Sequence, residues 1–186
     1  MRTARRMSLM ALTTVTLILL AGCTGTPSNE IGANLEQAAL DRTAFLFTDA
    51  RDCIQINVED AASVDDAGLF VASLEDCAFS MQILGLTDDE ILSDFLPEGD
   101  GTWLVSSAAS EQRLTITAYT TGLARHDSGL VAARRMYSLC WSVSFDTRTG
   151  GDLRVVDETC SPAILLIDSE YTLTDIAELE AQRLAA

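Results

Sequence analysis

Cysteine is the residue type with the most distinctive chemistry in this 186-residue chain, which contains five of them. A thiol can close a disulfide, bind a metal ion or act as a nucleophile once it is ionised. An odd number of cysteines cannot all pair with one another, so we expect one of the five to have a separate role. The five are Cys23, Cys53, Cys77, Cys140 and Cys160.

The segment ahead of Cys23 has the layout of a secretory leader. It has three arginines and no acid among its first six residues, followed by an uncharged, mostly apolar run over residues 7–20. A membrane-spanning helix needs about 20 apolar residues, and this run is shorter. A basic start, a short apolar run and small residues at the end are typical of a signal peptide, which we predict for residues 1–22.

The four residues Leu20-Ala21-Gly22-Cys23 resemble the lipobox of bacterial lipoproteins. In that family the cysteine sulfur receives a diacylglycerol and a signal peptidase cuts just before it, so the resemblance implies a mature chain that begins at Cys23. It also implies a location on the outer face of the cell membrane, with fatty acyl chains such as palmitate as the anchor. The alternative is an ordinary signal peptide, cut after Ala21 or Gly22, that leaves a free thiol.

A strand and a turn follow one another in the last third of the chain. Residues 137–145 alternate apolar and small polar side chains, which indicates a strand with one apolar face. Residues 147–151 have the composition of a turn, and a shorter alternation resumes after them. A hairpin closed symmetrically about Gly150 would face Phe145 with Val155.

The same hairpin brings Cys140 opposite Cys160, within the reach of a disulfide. Four cysteines allow three pairings, and this one leaves Cys53 with Cys77. We predict these two bridges, because disulfides persist in exported proteins. Zinc binding by the four thiolates is the alternative, disfavoured because no CxxC pair occurs in the sequence.

His126 is the single histidine of the chain and therefore a candidate general base. Asp127 and Ser128 beside it suggest a hydrolase triad, but a triad is defined by geometry, and no GxSxG nucleophile motif occurs. Residues 122–129 have the composition of a loop. We therefore predict no catalytic residue and a surface histidine that contacts a ligand at most.

Arg134 and Arg135 form a basic cluster just ahead of the aromatic strand. Two guanidinium groups can receive a carboxylate or a phosphate, or they can pair with acids of the same chain. Together with His126 they are our candidates for ligand contact.

Acidic clusters offer oxygen ligands but lack the spacing of a metal site. They lie at residues 65–66, at residues 88–90 and at Glu98 with Asp100, and none has the ladder of a calcium-binding loop. The first two fall where helices are expected to start, and acids are common there because of the helix dipole. We predict no metal and no cofactor.

The chain is strongly acidic, with a formal net charge of −16. All twelve basic residues are arginines, and removal of the leader would leave nine of them against 28 acidic residues, a net charge of −19. Such a chain repels phosphates, so we exclude nucleic acids as partners. The acidity serves either solubility or the recruitment of a cationic partner.

The first half of the mature chain has the apolar spacing of helices. Residues 23–29 form a short polar tether, and a helix follows to about Asp52. Its apolar positions are Ile31, Leu35, Ala38, Ala39 and Phe45. Residues 54–58 alternate, which indicates a short strand or a continuation of this helix.

Two further helices are predicted from capping patterns. Ser63 with Asp66 begins the first, and Thr87 with Glu90 begins the second, which ends near Phe95. The apolar face of the first contains Ala67, Phe70, Leu74, Cys77, Met81 and Leu84.

Strand patterns dominate the remainder. They cover residues 103–107, 113–121, 136–145, 153–159 and 163–167. An amphipathic helix that begins around residues 172–175 closes the chain. Helices followed by a strand meander predict an α+β fold, in which N-terminal helices and a C-terminal helix pack on an antiparallel sheet of four or five strands. Residues 30–186 are long enough for a single extracytoplasmic domain.

These features predict a lipid-anchored protein of the cell envelope that binds a protein or a small ligand without catalysis. The alternatives are a small envelope enzyme that uses His126 and nearby carboxylates, and a purely structural protein. The membrane, reached through lipid on Cys23, is the one partner that the sequence names.

Overall fold

The computed structural model describes most of the chain beyond its leader. The described residues are 28–60, 66–77, 79–94, 99–128, 132–167 and 171–185. The predicted signal peptide, Cys23 and the first residues of the tether lie outside this set. The chain divides into two units, Met1–Ala33 and Asn34–Ala186. Within the first unit the described residues are helical, and the second contains the sheet.

The described residues form five α-helices and six β-strands. The helices are α1 (Ser28–Asp60), α2 (Ala67–Ser73), α3 (Asp88–Asp94), α4 (Pro162–Ile167) and α5 (Ile176–Ala185), with a 3₁₀ helix at Leu74–Cys77. The strands are β1 (Phe79–Ser80), β2 (Gly101–Ala109), β3 (Arg113–Asp127), β4 (Ala132–Asp146), β5 (Arg154–Asp157) and β6 (Tyr171–Leu173).

All six strands belong to one mixed, mostly antiparallel sheet. Its order is β1-β2-β3-β4-β5, and β6 also pairs with β4. The pairs β1·β2 and β4·β6 are parallel, and the others are antiparallel. The predicted α+β class is confirmed. The expected four or five strands become six, because β1 and β6 are too short to leave an alternating pattern.

Helix α1 is longer than predicted because one buried stripe continues to its end. Ile54 and Val58, four residues apart, are both fully buried, whereas Ile56 between them is 58% exposed. That is the spacing of a helix face and not of a strand. The strand interpretation of residues 54–58 is therefore wrong, and the alternative of a continued helix is correct. The helix also begins at Ser28, inside the predicted tether.

Helices cover both faces of the sheet. Helices α1, α2 and α5 pack on one face, where Phe47 of α1 meets Trp141 of β4 edge-on at a centroid distance of 5.1 Å. Helices α3 and α4 pack on the other face, against Trp103 and Tyr119. Adjacent residues of a strand point to opposite faces, so β4 sends Trp141 into one core and Cys140 into the other.

Helix α1 approaches the sheet closely at Gly122 of β3. A Cβ atom on Gly122 would collide with the backbone nitrogen and Oγ1 of Thr43 and would lie 2.7 Å from the carbonyl oxygen of Ala39. The Thr43 hydroxyl donates to that carbonyl at 2.8 Å and also lies 3.2 Å from the carbonyl oxygen of Tyr137. This contact fixes the position of α1 across β3 and β4.

Both predicted disulfides are present. Cys53 on α1 bonds to Cys77 at the end of the 3₁₀ helix, with Cα atoms 5.8 Å apart. Cys140 on β4 bonds to Cys160, with Cα atoms 5.3 Å apart. One bridge ties α1 to the segment after α2, and the other ties the sheet to the start of α4.

The hairpin that suggested the second bridge has a different register from the predicted one. Val143, and not Phe145, pairs with Val155. The turn is centred earlier than Gly150, and the amide of Glu158 donates to the carbonyl of Cys140 at 2.8 Å. Cys160 therefore lies two residues beyond the directly opposite position, and the bridge still forms.

The β4–β5 turn is organised by Asp146. Its carboxylate accepts hydrogen bonds from the amides of Arg148 and Thr149, at 2.9 and 3.0 Å. Gly150 adopts a φ of 66° and Asp152 a φ of 55°, so the chain reverses before β5 begins. Bonds from the Arg148 amide above all lower the pKa of the Asp146 carboxyl.

We expect the Asp146 carboxyl to titrate at lower pH in the folded protein than in the unfolded chain. A depressed folded-state pKa adds stability above the unfolded value of about 3.9, and this contribution is lost as the pH falls through the folded-state pKa. Side-chain carbon NMR of the folded and of the urea-unfolded protein measures both midpoints. Equal midpoints would contradict the assigned role of the Arg148 amide.

Three other predicted elements are revised. Residues 163–167 form helix α4 and not a strand, with the Ser161 hydroxyl accepting from the Ile164 amide at 3.3 Å. The helix expected through Leu84 ends at Cys77, and Asp66 caps it, whereas Ser63 lies outside the described residues. Residues 171–173 belong to strand β6, and the last helix begins at Ile176.

The short helix α3 matches its prediction. The Thr87 amide and hydroxyl both lie 2.8 Å from the Glu90 carboxylate, and the Glu90 amide donates to the Thr87 hydroxyl at 3.4 Å. This reciprocal arrangement is the predicted capping box.

Candidate functional site

His126 lies on a strand and not in a loop. Strand β3 continues to Asp127, so the loop predicted for residues 122–129 is wrong for residues 122–127. The long antiparallel pairing with β4 holds the backbone here, with His126 opposite Ala133 and Arg125 opposite Arg134. His126 is half-buried and lines an open cavity of about 470 Å³ at this end of the hairpin. The lining residues are Arg125, His126, Asp127, Ala132, Ala133 and Arg134.

The three predicted ligand contacts do not converge on one point. Paired residues of an antiparallel sheet share a face, so Arg134 lies with Arg125 on the face that carries Cys140. His126 and Arg135 lie on the α1 face. The Nε of Arg135 is 3.6 Å from the Glu36 carboxylate of α1, and its Nη1 donates to the carbonyl of Arg134. The cavity wraps around the end of the hairpin, so its lining includes His126 from one face and Arg134 from the other, but not Arg135.

A second concave surface lies between helices α1 and α5. It is a groove of about 440 Å³ with a mostly apolar lining, which is within the size range of ligand pockets. Its lining residues are Asp41, Ala44, Phe45, Thr48, Asp49 and Asp52 of α1, with Gln182 and Arg183 of α5. The residues from α1 follow one another at intervals of three or four, so they form one continuous stripe along the helix. We call this surface the α1/α5 groove.

Phe45 is the main apolar side chain of the α1/α5 groove. The residue is 59% exposed, although the sequence pattern placed Phe45 on the buried stripe of α1. The guanidinium of Arg42 lies 5.4 Å from the ring centroid, and Arg42 is also paired with Asp100. An aromatic ring held in this way presents apolar surface that an incoming side chain can cover.

Carboxylates dominate the rim of the α1/α5 groove. Asp41 accepts from the side-chain amide of Gln37 at 2.9 Å and from that of Gln182 at 3.0 Å, which position it without cancelling its charge. Asp52 is paired with Arg51 at 2.8 Å. Of the three carboxylates of the rim, Asp41 and Asp49 are therefore not paired with Arg51, and Arg183 is the one basic residue of the lining.

The sequence contained a signal for this groove that the helical pattern obscured. The buried residues of α1 run through Leu35, Ala39, Phe47, Ile54 and Val58, and Phe45 does not fall on that stripe. A helix traced to residue 58 from the sequence would have left Phe45 on a second face with three aspartates. The contribution of α5 has no comparable sequence signal.

Metal-binding groups and membrane-spanning helices are both absent from the part of the chain that the structure describes. Within the described ranges, no three His, Cys, Asp or Glu side chains come together as a metal-binding group. None of the described helices combines the length and apolar character needed to cross a bilayer.

Comparison with protein-family models, curated proteins and solved structures gives no match for this chain.

Proposed function

We propose that this chain is a lipid-anchored protein of the bacterial cell envelope that binds a partner on the outer face of the membrane without catalysing a reaction. The lipid on Cys23 would hold it there, and the α1/α5 groove would receive the partner. The proposal combines an export signal, a compartment and a binding surface, each resting on different residues.

The two disulfides are the observation that supports a location outside the cytosol. Cys53–Cys77 and Cys140–Cys160 involve all four cysteines of the described residues. Disulfides are rare in reducing cytosol and persist outside it. Their presence agrees with a leader over residues 1–22 and leaves Cys23, which lies outside the described residues, as the fifth cysteine, at the position of the lipobox resemblance.

The binding role is supported by the α1/α5 groove. A large aromatic side chain that is exposed within a mostly apolar groove offers apolar surface that a partner can cover. Phe45 is such a side chain. An exposed aromatic side chain in a groove between two helices therefore supports binding at this surface.

We expect Cys23→Ser to release the protein from membranes. One acyl chain binds a bilayer only marginally and two or more bind it stably, so removal of the acceptor sulfur should remove the anchor altogether. Fractionation of cells that express the full chain, with immunoblotting of the pellet and the supernatant, measures the change. Thr24→Ser alters the neighbouring residue by one methyl group and serves as the matched control.

If Cys23 is lipidated, Thr24→Ser and Cys23→Ser should differ in their membrane association and in their labelling with palmitate. Thr24→Ser should sediment with membranes, dissolve in detergent and incorporate labelled palmitate, as the unaltered chain does. Cys23→Ser should incorporate no label and remain in the supernatant. Sedimentation of Cys23→Ser with membranes to the same extent as the unaltered chain would refute lipid anchoring.

A further inference from the structure

We infer that the α1/α5 groove binds a basic, amphipathic helical segment of another protein, with an apolar side chain of that segment packed on Phe45 and its Lys or Arg side chains paired with the aspartates of the rim. The inference rests on the proposed binding role and adds the chemistry of the partner. The shape of the groove, its apolar surface and its charge support this partner.

The shape of the groove favours a helix. The α1 residues of the lining recur at positions 41, 44, 45, 48, 49 and 52, which is a straight stripe along three turns of a helix. Gln182 and Arg183 of α5 form the opposite wall. Two helices that flank a shallow trough are the usual receptor for an amphipathic helix, which anchors itself through side chains at the same three- and four-residue spacing.

The floor of the groove supplies the apolar contact. Ala44 is buried and small, and Phe45 stands beside it with 59% of its surface exposed. A volume of about 440 Å³ accommodates a few aliphatic side chains but not a folded domain. A partner helix with a leucine or an aromatic side chain at its centre would cover Phe45 and remove both apolar surfaces from water.

The rim selects the charge of the partner. Asp41, Asp49 and Asp52 surround the apolar floor, and Arg183 is the one basic residue of the lining. No hydrogen bond or ion pair satisfies Asp49 among the residues that the structure describes. Asp52 is already paired with Arg51, so a basic segment would pair with Asp41 and Asp49, whereas a second copy of this chain or an anionic lipid surface would bring more negative charge to them. The net charge of −16 strengthens both the attraction of a basic segment and the repulsion of a second copy or an anionic lipid surface.

The test uses synthetic helical peptides as probes. The first peptide has leucines on one face and lysines on the others, and the reference peptide has glutamates in place of the lysines. Fluorescence anisotropy of each labelled peptide, titrated with the purified full chain at low and at high sodium chloride, gives the two affinities. The lysine peptide should bind and should weaken as salt rises, and the glutamate peptide should not bind.

Two variants locate the binding. Phe45→Ser should weaken the lysine peptide by about tenfold or more, as truncation of a central aromatic anchor does. Leu69→Ser alters another exposed apolar side chain, 72% exposed on α2, and should leave the affinity unchanged. Asp49→Asn should weaken binding by a few-fold and reduce its salt dependence. Glu75→Gln removes the same charge from the 3₁₀ helix and should leave the affinity and its salt dependence unchanged.

Several outcomes would overturn the inference. Equal loss in Phe45→Ser and Leu69→Ser, or no loss in either, would show a general attraction between a basic peptide and an acidic protein. Binding of the glutamate peptide with the same affinity would show that the aspartates of the rim do not select a basic partner. Self-association that Phe45→Ser abolishes in sedimentation experiments would assign the groove to a second copy. The titration with Cys23→Ser protein should give the same affinities, so a failed anchor and a failed groove are separable.

Discussion

Removal of both disulfides is expected to leave the folded state without most of its stability. Each bridge closes a loop, with sequence separations of 24 and 20 residues, and restricts the unfolded chain by about 3 kcal/mol. The combined loss of about 6 kcal/mol is comparable to the whole free energy of unfolding of a small domain. The variant that tests this carries serine at Cys53, Cys77, Cys140 and Cys160, and urea unfolding followed by circular dichroism measures its stability.

Paired single-bridge variants separate the two contributions. Cys53→Ser with Cys77→Ser releases the end of α1, and Cys140→Ser with Cys160→Ser releases the start of α4. The bridges lie on opposite faces of the sheet, so their losses should be nearly additive. A four-serine protein that unfolds at the same urea concentration as the unaltered chain would show that neither bridge supports the fold.

The second large effect is expected from Gly122→Ala. One added methyl group would meet the backbone of Thr43 and the carbonyl of Ala39, and neither can move away by a side-chain rotation. Helix α1 would have to shift away from the sheet and would weaken its contacts with β3 and β4. We expect a loss of about 3 kcal/mol, at the upper end of the usual cost of overpacking. Urea unfolding measures it.

Gly32→Ala is the matched control for this substitution. Gly32 lies within α1, and a Cβ atom there would meet nothing within 4 Å. Alanine favours a helix over glycine by up to about 1 kcal/mol, so this variant should be as stable as the unaltered chain or slightly more stable. A Gly122→Ala protein with the stability of Gly32→Ala would mean that α1 does not approach β3 as closely as the structure has it.

Local signals in the sequence predicted those elements whose positions depend on neighbouring residues. The Thr87–Glu90 capping box is complete within four residues, and helix α3 begins there. The alternation over residues 137–145 is long, and it lies within strand β4. The pairing of the four cysteines also followed from a local hairpin, although its register was two residues away from the observed one.

Elements were missed or misassigned where a local signal was overlooked or where their position depends on distant contacts. The apolar run at residues 163–167 fits a buried strand or a short buried helix equally well, and the deciding signal, Ser161 followed by Pro162, favours a helix start. Strand β6 forms because Met136 and Ser138 of β4 offer it a parallel partner, which no neighbouring residue of β6 can reveal. The candidate site was only partly predictable for the same reasons. His126 was found by residue type alone, whereas the α1/α5 groove required the position of α5.

The two cores contain one tryptophan each. Trp141 is fully buried on the α1 face, where its Nε1 donates to the Thr120 hydroxyl at 3.0 Å, and Trp103 is buried on the α3/α4 face beside Tyr119. They are the two tryptophans of the whole chain. Indole fluorescence moves to longer wavelength when the ring becomes solvated, so each layer has its own intrinsic optical reporter. Loosening of the small α3/α4 layer before the α1 layer would appear as two separate spectral shifts and not as one.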